Sequence, residues 1–262
     1  MSWLKNKKIV VIGGTTGLGL SAALAFVKEG AHVVVVGRNP DSCMEAEKQL
    51  KKKGFAIAAD ATDPNTAQNA IDLCLDRFGD FNGLYHVAGG SGRKYGDGPL
   101  HELTLDGWNK TFELNLTSLM LSNQAAVRTF LARNRSGVIL NMGSVLSHSP
   151  SITYFTTHAY AACKAAVTGF IKATAAYYAP HNIRINGLYP ALVETPMAQR
   201  AANDDAILGF IKTKQPLGGG RIGIPSDLDG AAVYFMSDYA KFTTGQILMV
   251  DGGWTISEGQ IV

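Results

Sequence analysis

Long hydrophobic runs are absent from this sequence. No apolar segment among the 262 residues reaches the ~18 residues that a membrane-spanning helix needs, and the first residues show no signal-peptide pattern. We therefore expect no membrane partner.

An excess of charge of one sign is absent as well. The chain has 24 Lys and Arg residues against 21 Asp and Glu residues, which gives a formal net charge of only +3. The sequence shows no face rich in Lys and Arg, so nucleic acid is not expected as a partner.

Cysteine is scarce. Cys43, Cys74 and Cys163 are the three in the chain, and their wide spacing fits neither a metal site nor a disulfide framework. We therefore expect no metal and a reducing compartment, the cytoplasm. Cys163 lies near Tyr160 and Lys164, but its helical offset points it away from them, which favours a buried structural thiol over a nucleophile.

Internal repeats and low-complexity linkers are also missing, which indicates a single domain over residues 1–262. Short apolar runs alternate with helical patterns along the chain, which is typical of an α/β fold with a doubly wound parallel sheet. We predict seven strands, at residues 8–13, 32–36, 55–59, 83–87, 137–142, 182–188 and 246–250. The longest helices are predicted at 20–29, 40–53, 64–78, 104–131 and 160–179. Residues 191–222 lack strong periodicity and are predicted to form a mobile lid.

A glycine-rich turn follows the first predicted strand. Residues 13–19 read Gly-Gly-Thr-Thr-Gly-Leu-Gly and lead directly into a helical pattern. Glycines there let the backbone approach a pyrophosphate, whose charge is stabilised at a helix N-terminus. The turn therefore predicts a dinucleotide site, although an ordinary tight turn has a similar local sequence.

The end of the second strand bears on which dinucleotide is bound. A site that reads a ribose 2′-hydroxyl usually has an acid here, whereas this chain has Gly37 followed by Arg38. Arginine pairs well with a 2′-phosphate. We therefore predict NADP, with NAD as the alternative.

Tyr160 and Lys164 are the candidate acid–base pair. Four residues apart on a helix, they share one face. A nearby cation stabilises a phenolate, which brings a tyrosine closer to the range where it can transfer protons.

With these features in place, the chain resembles the short-chain dehydrogenase/reductase superfamily over essentially its whole length. The matching segments are Gly13-x-x-x-Gly17-x-Gly19, Asp60-Ala61-Thr62, Ala88-Gly89, Asn115, Asn141-Met142-Gly143-Ser144, Tyr160-x-x-x-Lys164, Arg184-Ile185-Asn186, Pro190, Thr195-Pro196-Met197, Thr244-Gly245-Gln246 and Asp251-Gly252-Gly253. The resemblance implies a Rossmann-like fold and an NAD(P)-dependent oxidoreductase that interconverts a secondary alcohol and a ketone.

The resemblance also implies four catalytic roles. Tyr160 would be the general acid in reduction and the base in oxidation, and Lys164 would lower its pKa and bind the nicotinamide ribose. Ser144 would polarise the substrate oxygen, and Asn115 would hold a water of a proton relay. The expected cofactor contacts are Gly13, Thr15, Thr16, Gly17, Leu18, Gly19, Arg38, Asp60, Ala61, Ala88, Gly89, Tyr160, Lys164, Pro190, Val193 and Thr195.

Three departures from the family pattern concern the site. Ile12 precedes the glycine turn where the family usually has Thr, and His86-Val87 replaces the usual Asn-Asn before Ala88-Gly89. We interpret His86 as structural. Ser147, rather than Ser144, has the usual spacing to Tyr160, but strand-end geometry favours Ser144, with an insertion between them and Tyr160.

The substrate is not determined by the sequence. A 3-oxoacyl, steroid or sugar-like compound fits the family, and candidate pocket residues are His148, Tyr154, Phe155, Tyr189, Leu192, Met197 and Phe210. The small or apolar outer faces of the Asn115 and Tyr160 helices predict a homotetramer or homodimer. The alternative function is a dinucleotide-binding sensor or scaffold without turnover.

Overall fold

The computed structural model describes residues 2–260, apart from the side chain of Met197, and its strands form one sheet. The strands are β1 (Lys8–Ile12), β2 (His32–Gly37), β3 (Gly54–Ala58), β4 (Gly83–His86), β5 (Gly137–Met142), β6 (Ile183–Pro190) and β7 (Ile247–Val250). Within the described residues all seven pair in parallel, in the order β3-β2-β1-β4-β5-β6-β7. The predicted fold class is therefore confirmed.

Helices cover both faces of this sheet. They are α1 (Gly17–Lys28), α2 (Pro40–Leu50), α3 (Thr66–Phe78), α4 (Leu105–Phe112), α5 (Ser118–Ala132), α6 (His158–Tyr178), α7 (Gln199–Ala202), α8 (Asp205–Lys214) and α9 (Asp229–Met236). None of the helices described between residues 2 and 260 is long and apolar enough to cross a membrane.

The core consists of two apolar layers, because alternate strand residues point to opposite faces of the sheet. Ile9 and Val11 of β1 belong to the layer that packs against α1, α2 and α9. Val10 and Ile12 belong to the layer on the other face, which packs against α3, α5 and α6. Burial on both faces explains why the strand sequences are continuously apolar.

The first helix begins earlier than expected. α1 starts at Gly17, three residues before the predicted start. The N-terminus of α1 therefore lies directly at the glycine turn. This matters because the free N–H groups of a helix are those of its first turn.

The long helix predicted at 104–131 is interrupted. A π-helical turn at Glu113–Thr117 separates α4 from α5. A π turn adds one residue to a helical turn and shifts the side chains that follow it. Asn115 lies in this turn, so the interruption falls on a predicted site residue.

The segment predicted as a lid at 191–222 is more regular than its sequence indicated. It contains α7 and α8, and the Asp204 side chain caps α8 by accepting hydrogen bonds from the N–H groups of Ala206 and Ile207. Ile207 and Ile211 pack with Trp254 in a third apolar cluster. Two short helices of mixed apolar and polar residues do not show a clear period, which is why they were not predicted.

Candidate active site

A cleft of about 860 Å³ lies at the carboxyl ends of the strands. Strand order reverses between β1 and β4, and ligands of doubly wound sheets bind outside the strand ends at such a reversal. Of the predicted catalytic and cofactor-binding residues, every one except Gly19 lines this cleft. The residues selected from the sequence therefore lie together in this cleft.

The glycine turn brings the backbone of β1 close to that of β4. Gly13 has φ +83°, and a Cβ atom there would lie 2.6 Å from the backbone nitrogen of Ala88. Gly19 does not line the cleft because it is buried in α1, where a Cβ atom would overlap the carbonyl oxygen of Gly13. The two glycines therefore set the position of the α1 N-terminus.

That N-terminus suits an anion. Thr16 occupies the N-cap position, but its side chain makes no capping hydrogen bond, and the first turn of α1 has no acidic residue. The first N–H groups of the helix are therefore available to a ligand, and the helix dipole favours negative charge there. These features fit the pyrophosphate of a dinucleotide.

Arg38 and Asp60 follow β2 and β3 at the other end of the cleft. Arg38 is exposed, and no carboxylate of residues 2–260 lies within ion-pair distance of it. Burial opposes ionisation of Asp60, but hydrogen bonds from the N–H and hydroxyl of Thr62, with the charges of Arg38 and Lys110, bring the Asp60 pKa below its usual value. Asp60 is therefore ionised, while Arg38 keeps its hydrogen-bond donors free for a ligand.

Lys164 is buried, and no carboxylate within the described part of the chain forms an ion pair with it. Its side chain projects from α6 to the end of β5, where Nζ donates a hydrogen bond to the carbonyl oxygen of Met142 at 3.0 Å. Burial lowers the pKa of Lys164 to about 8. Its ammonium lies 5.5 Å from the ring centroid of Tyr160, so it presents positive charge to that residue.

The pKa of Tyr160 shifts in the opposite direction from that of Lys164. Burial raises the pKa of its phenol to about 12, although a hydrogen bond with the Ser144 side chain lowers it. The resemblance assigned the lowering to Lys164. In the structure the hydrogen bond from Ser144 lowers the pKa of Tyr160. Burial raises this pKa by more, because the loss of hydration destabilises the phenolate more than one hydroxyl hydrogen bond stabilises it.

Ser144 and Ser147 have different surroundings. Ser144 caps a short helical turn by accepting a hydrogen bond from Leu146 N–H at 3.2 Å, and it lines the cleft beside Tyr160. The Ser147 hydroxyl donates to the Ser144 carbonyl oxygen at 2.5 Å and lies 2.6 Å from His148 Nδ1. Only Ser144 therefore contacts Tyr160.

The Asn115 side chain joins the loop after β4 to the helix that carries it. Its Nδ2 donates to the carbonyl oxygens of Gly90 and Thr111, both at 2.9 Å, and its Oδ1 accepts from Gly90 N–H at 3.1 Å. The bond to Thr111 runs along the helix that the π turn interrupts. Both amide hydrogens are used, so a water could bind the side chain only at Oδ1.

His86 has a structural environment, in agreement with its interpretation from sequence. It is buried, its Nδ1 lies 2.8 Å from the Ser122 hydroxyl, and its Nε2 has no hydrogen-bond partner among residues 2–260. Burial, together with the charge of Lys164, lowers the pKa of His86 to about 3. The imidazole is therefore neutral across the physiological range.

Asp97 is a site residue that sequence reasoning missed. It lies in the loop after β4, is only 5% exposed, and accepts hydrogen bonds from the backbone N–H groups of Ala159 at 3.0 Å and Tyr160 at 3.1 Å. It therefore caps the N-terminus of α6 from a distant loop. An Asp-Gly pair in a glycine-rich segment was the only signal, and such pairs are common in loops of every kind.

Some of the candidate pocket residues line the cleft, and others pack elsewhere in the protein. Phe155 and Leu192 line the cleft, together with Leu146 and Trp254, which were not predicted. Tyr154 and Phe210 instead pack against each other in the third apolar cluster. His148 and Tyr189 contact each other outside the cleft lining. The side chain of Met197 lies outside the described residues.

Comparison with known proteins agrees with this geometry. A family model described as "Enoyl-(Acyl carrier protein) reductase" matches residues 13–255. The chain is 30% identical to 2,5-dichloro-2,5-cyclohexadiene-1,4-diol dehydrogenase LinX of Sphingobium indicum, over 97% of this chain and 98% of that protein. It is 29% identical to an L-rhamnose 1-dehydrogenase (NAD(P)(+)) of a Sphingomonas species, over 98% and 99%. A short-chain type dehydrogenase/reductase from Mycobacterium ulcerans has a similar solved structure, with a TM-score of 0.89 and 27% identity over 99% of this chain and 93% of that one.

Replacing Asp97 by Ala should weaken the start of α6. Loss of an N-cap carboxylate costs about 1–2 kcal/mol of unfolding free energy and should speed hydrogen exchange at the amides of Ala159 and Tyr160. Urea denaturation and exchange measured by mass spectrometry check both effects. Asp204→Ala, which removes the cap of α8, is the matched control and should destabilise the protein without affecting those two amides. Unchanged exchange at residues 159–160 would show that Asp97 does not hold them.

Proposed function

Since the chain belongs to the short-chain dehydrogenase/reductase superfamily, we propose that Tyr160, Lys164, Ser144 and Asn115 are its catalytic residues and that NADP is its preferred cofactor. The enzyme is an NAD(P)-dependent oxidoreductase that interconverts an alcohol and a ketone. One observation supports the assignment most: the Tyr160 phenol, its Ser144 partner and the buried Lys164 ammonium line the same cleft as the glycine turn. A sensor without turnover would not need that set, and relatives over the whole chain are dehydrogenases.

The residues of the cleft fit a dinucleotide. The N-terminus of α1 would hold the pyrophosphate, Arg38 a 2′-phosphate, and Asp60 with Ala61 would border the adenine. Pro190, Val193 and Thr195 lie at the end of β6 and in the segment after it, and they would border the nicotinamide. When bound, the cofactor supplies or accepts the hydride.

In reduction, Tyr160 would donate its phenolic proton to the substrate oxygen. A pKa of about 12 keeps the phenol protonated at neutral pH, as this direction requires. The Ser144 hydroxyl would hydrogen-bond the same oxygen. The Lys164 ammonium, 5.5 Å from the Tyr160 ring centroid, would stabilise the phenolate left behind, because an opposite charge nearby favours the ionised form.

In oxidation, the phenolate of Tyr160 would take the proton of the substrate hydroxyl. The proton then has to leave the buried site. We propose that a water held at Oδ1 of Asn115 connects Lys164 with solvent, since Lys164 has a pKa of about 8 and can release a proton near neutral pH.

The substrate is proposed to be a hydroxylated ring or chain compound with a secondary alcohol. Leu146, Phe155, Leu192 and Trp254 give this end of the cleft an apolar wall. The two relatives described above are named for a cyclohexadiene diol and for a sugar. Residues 191–222, with α7 and α8, are proposed to act as a lid within a single catalytic domain of residues 1–262.

We further propose a cytoplasmic location and an oligomeric assembly. All three cysteines are free and buried, which suits a reducing compartment. The outer face of α6 exposes Ala165, Ala166, Gly169 and Ala173, small residues that let a second helix approach closely. Two copies of this face would be related by a two-fold axis, in a homodimer or a homotetramer.

Replacing Arg38 by Ala should reverse the cofactor preference. Charge-assisted hydrogen bonds to a phosphate contribute roughly 1.5–3 kcal/mol, so kcat/KM for NADP should fall about 10- to 100-fold while that for NAD changes little. Steady-state kinetics with both cofactors check this, with Arg133→Ala, an exposed arginine at the opposite sheet edge, as the control. A wild-type kcat/KM for NAD equal to or above that for NADP would contradict the prediction.

Tyr160→Phe should fold and bind cofactor but lose turnover. General acid–base catalysis contributes roughly 10²–10⁴-fold, so kcat should fall at least that much. Lys164→Ala should lower kcat and also weaken cofactor binding. The double variant should lose much less than the product of the two single losses, because the residues act as one unit. Most activity remaining in Tyr160→Phe would remove Tyr160 from the mechanism.

The rate of alcohol oxidation should rise with pH into the alkaline range. Oxidation needs the Tyr160 phenolate, and burial raises the pKa of Tyr160 to about 12, so the active fraction grows as pH increases. Ser144→Ala removes the hydrogen bond that lowers this pKa, and should shift the profile to higher pH as well as lower kcat. Ser147→Ala is the matched control and should leave the midpoint unchanged. Equal shifts in the two variants would argue against Ser144 as the partner of Tyr160.

The mass in solution should be that of a dimer or tetramer at micromolar concentration. Gly169→Arg places a bulky charge on the proposed α6 face, at a position where a Cβ would meet no other element of the described residues, and should yield monomer. Gly230→Arg, at an equally open position on α9, is the control. Light scattering that finds only monomer for the wild type would refute the assembly.

A further inference from the structure

Two arginine side chains meet at the substrate end of the cleft. Arg93 lies in a short helical turn after β4, and Arg200 lies in α7. Nη2 of each donates a hydrogen bond to the same backbone oxygen, the carbonyl of Tyr154, at 3.3 Å. Both residues line the cleft that contains Ser144 and Tyr160.

The charges of the two guanidinium groups are not balanced by acids. Among residues 2–260 no carboxylate lies within 4.0 Å of either one. Partial burial and the charge of Arg200 together lower the pKa of Arg93. Asp97 partly offsets this, but its two oxygens accept hydrogen bonds from the N-terminus of α6.

Holding the Tyr154 carbonyl does not account for this arrangement. A neutral carbonyl needs one donor, and a second cation beside the first adds repulsion without a compensating charge. Each guanidinium has five N–H donors, so most of the donors of the pair remain free. Two planar donor groups side by side match the oxygens of a carboxylate or a phosphate.

Arg93 and Arg200 lie on other elements of the fold than the sites proposed for the cofactor phosphates. Those phosphates would bind the α1 N-terminus and Arg38, on the loops that follow β1 and β2. Arg93 instead belongs to the loop that continues to Asp97, and so to the start of α6 and to Tyr160. Phe155 follows Tyr154 directly and contributes to the apolar wall beside the pair.

We propose that Arg93 and Arg200 bind an anionic group, a carboxylate or a phosphate, on the substrate whose hydroxyl or carbonyl group reacts at Tyr160. The proposal rests on the function proposed above and narrows its substrate class. The substrate is then a hydroxy acid and its keto acid, or the corresponding phosphate ester, with an apolar part between the anion and the reacting carbon.

The test measures binding of anions that cannot react. The NADP-saturated enzyme is titrated calorimetrically at low salt with three pairs of probes: benzoate and benzamide, hexanoate and hexanamide, and phenyl phosphate and phenol. The anion of at least one pair should bind about tenfold tighter than its neutral partner, since hydrogen bonds to charged groups are the stronger ones. Tighter binding of the carboxylates or of phenyl phosphate tells which anion the site prefers.

Variants separate anion binding from a loop-holding role. Arg93→Gln and Arg200→Gln should each weaken binding of the preferred anion by about tenfold, leave its neutral partner and NADP unaffected, and weaken the effect of added salt. Arg133→Gln, outside the cleft, is the matched control. A structural role would weaken both members of a pair equally.

Absence of any preference for an anion, including no detectable binding, overturns the proposal, as does equal loss of both partners in the Gln variants. None of the probes contains a ketone or a secondary alcohol, so the result does not depend on turnover. Failure of the catalytic assignment would instead appear as an active Tyr160→Phe enzyme.

Discussion

The site depends on a buried cation for which residues 2–260 supply no anionic partner. Lys164 is 3% exposed, and the Met142 carbonyl is its protein hydrogen-bond acceptor. Removing an ammonium from water costs free energy, and this cost lowers the pKa of Lys164 to about 8. The surroundings reflect the same constraint. A Cβ at Gly89 would lie 3.6 Å from Nζ, and the nearby His86 stays neutral because burial, reinforced by repulsion from Lys164, lowers its pKa.

The loop after β4 contacts several parts of the candidate active site. Its backbone at Gly90 is fixed by Asn115, its Asp97 carboxylate fixes the start of α6, and Arg93 extends from it to the mouth of the cleft. One segment therefore connects the acid–base pair with the proposed substrate anchor. Gly89, Gly92 and Gly96 allow this close fit, because a Cβ atom at these positions would collide with the side chains of Asn115, Thr111 and Thr104, respectively.

The features that could be predicted from the sequence are those that depend on a local sequence pattern. Continuous apolar runs located the strands, the glycine turn located the cleft, and the spacing of Tyr160 and Lys164 placed them on one helical face. Asp97 and the Arg93–Arg200 pair could not be found this way. Asp97 acts on Tyr160 from 63 residues away, and Arg200 meets the Tyr154 carbonyl from 46 residues away, so only the folded chain shows these contacts.

Even among local features, one required the structure. The π turn at Asn115 has no period of its own, since it is a single added residue in an otherwise helical pattern. The choice between Ser144 and Ser147 followed from strand-end geometry and not from spacing. In the structure β5 ends at Met142, which leaves Ser144, and not Ser147, beside Tyr160.

The contact of Gly13 with Ala88 also has a consequence for how the chain folds. β1 pairs with β4 in a register that joins Ile9 to Gly83, and the N–H of Ala88 then donates to the carbonyl oxygen of Ile12 at 2.9 Å. Closing so long a stretch of chain costs entropy before any contact repays it, and parallel pairing of this kind is slow. The segment from β1 through β2 contains every glycine of the turn, yet without β4 it lacks the surface that the turn packs against. The turn therefore reaches its final shape only once β4 has paired with β1, so the first strand and helix alone do not form the surface against which Gly13 packs.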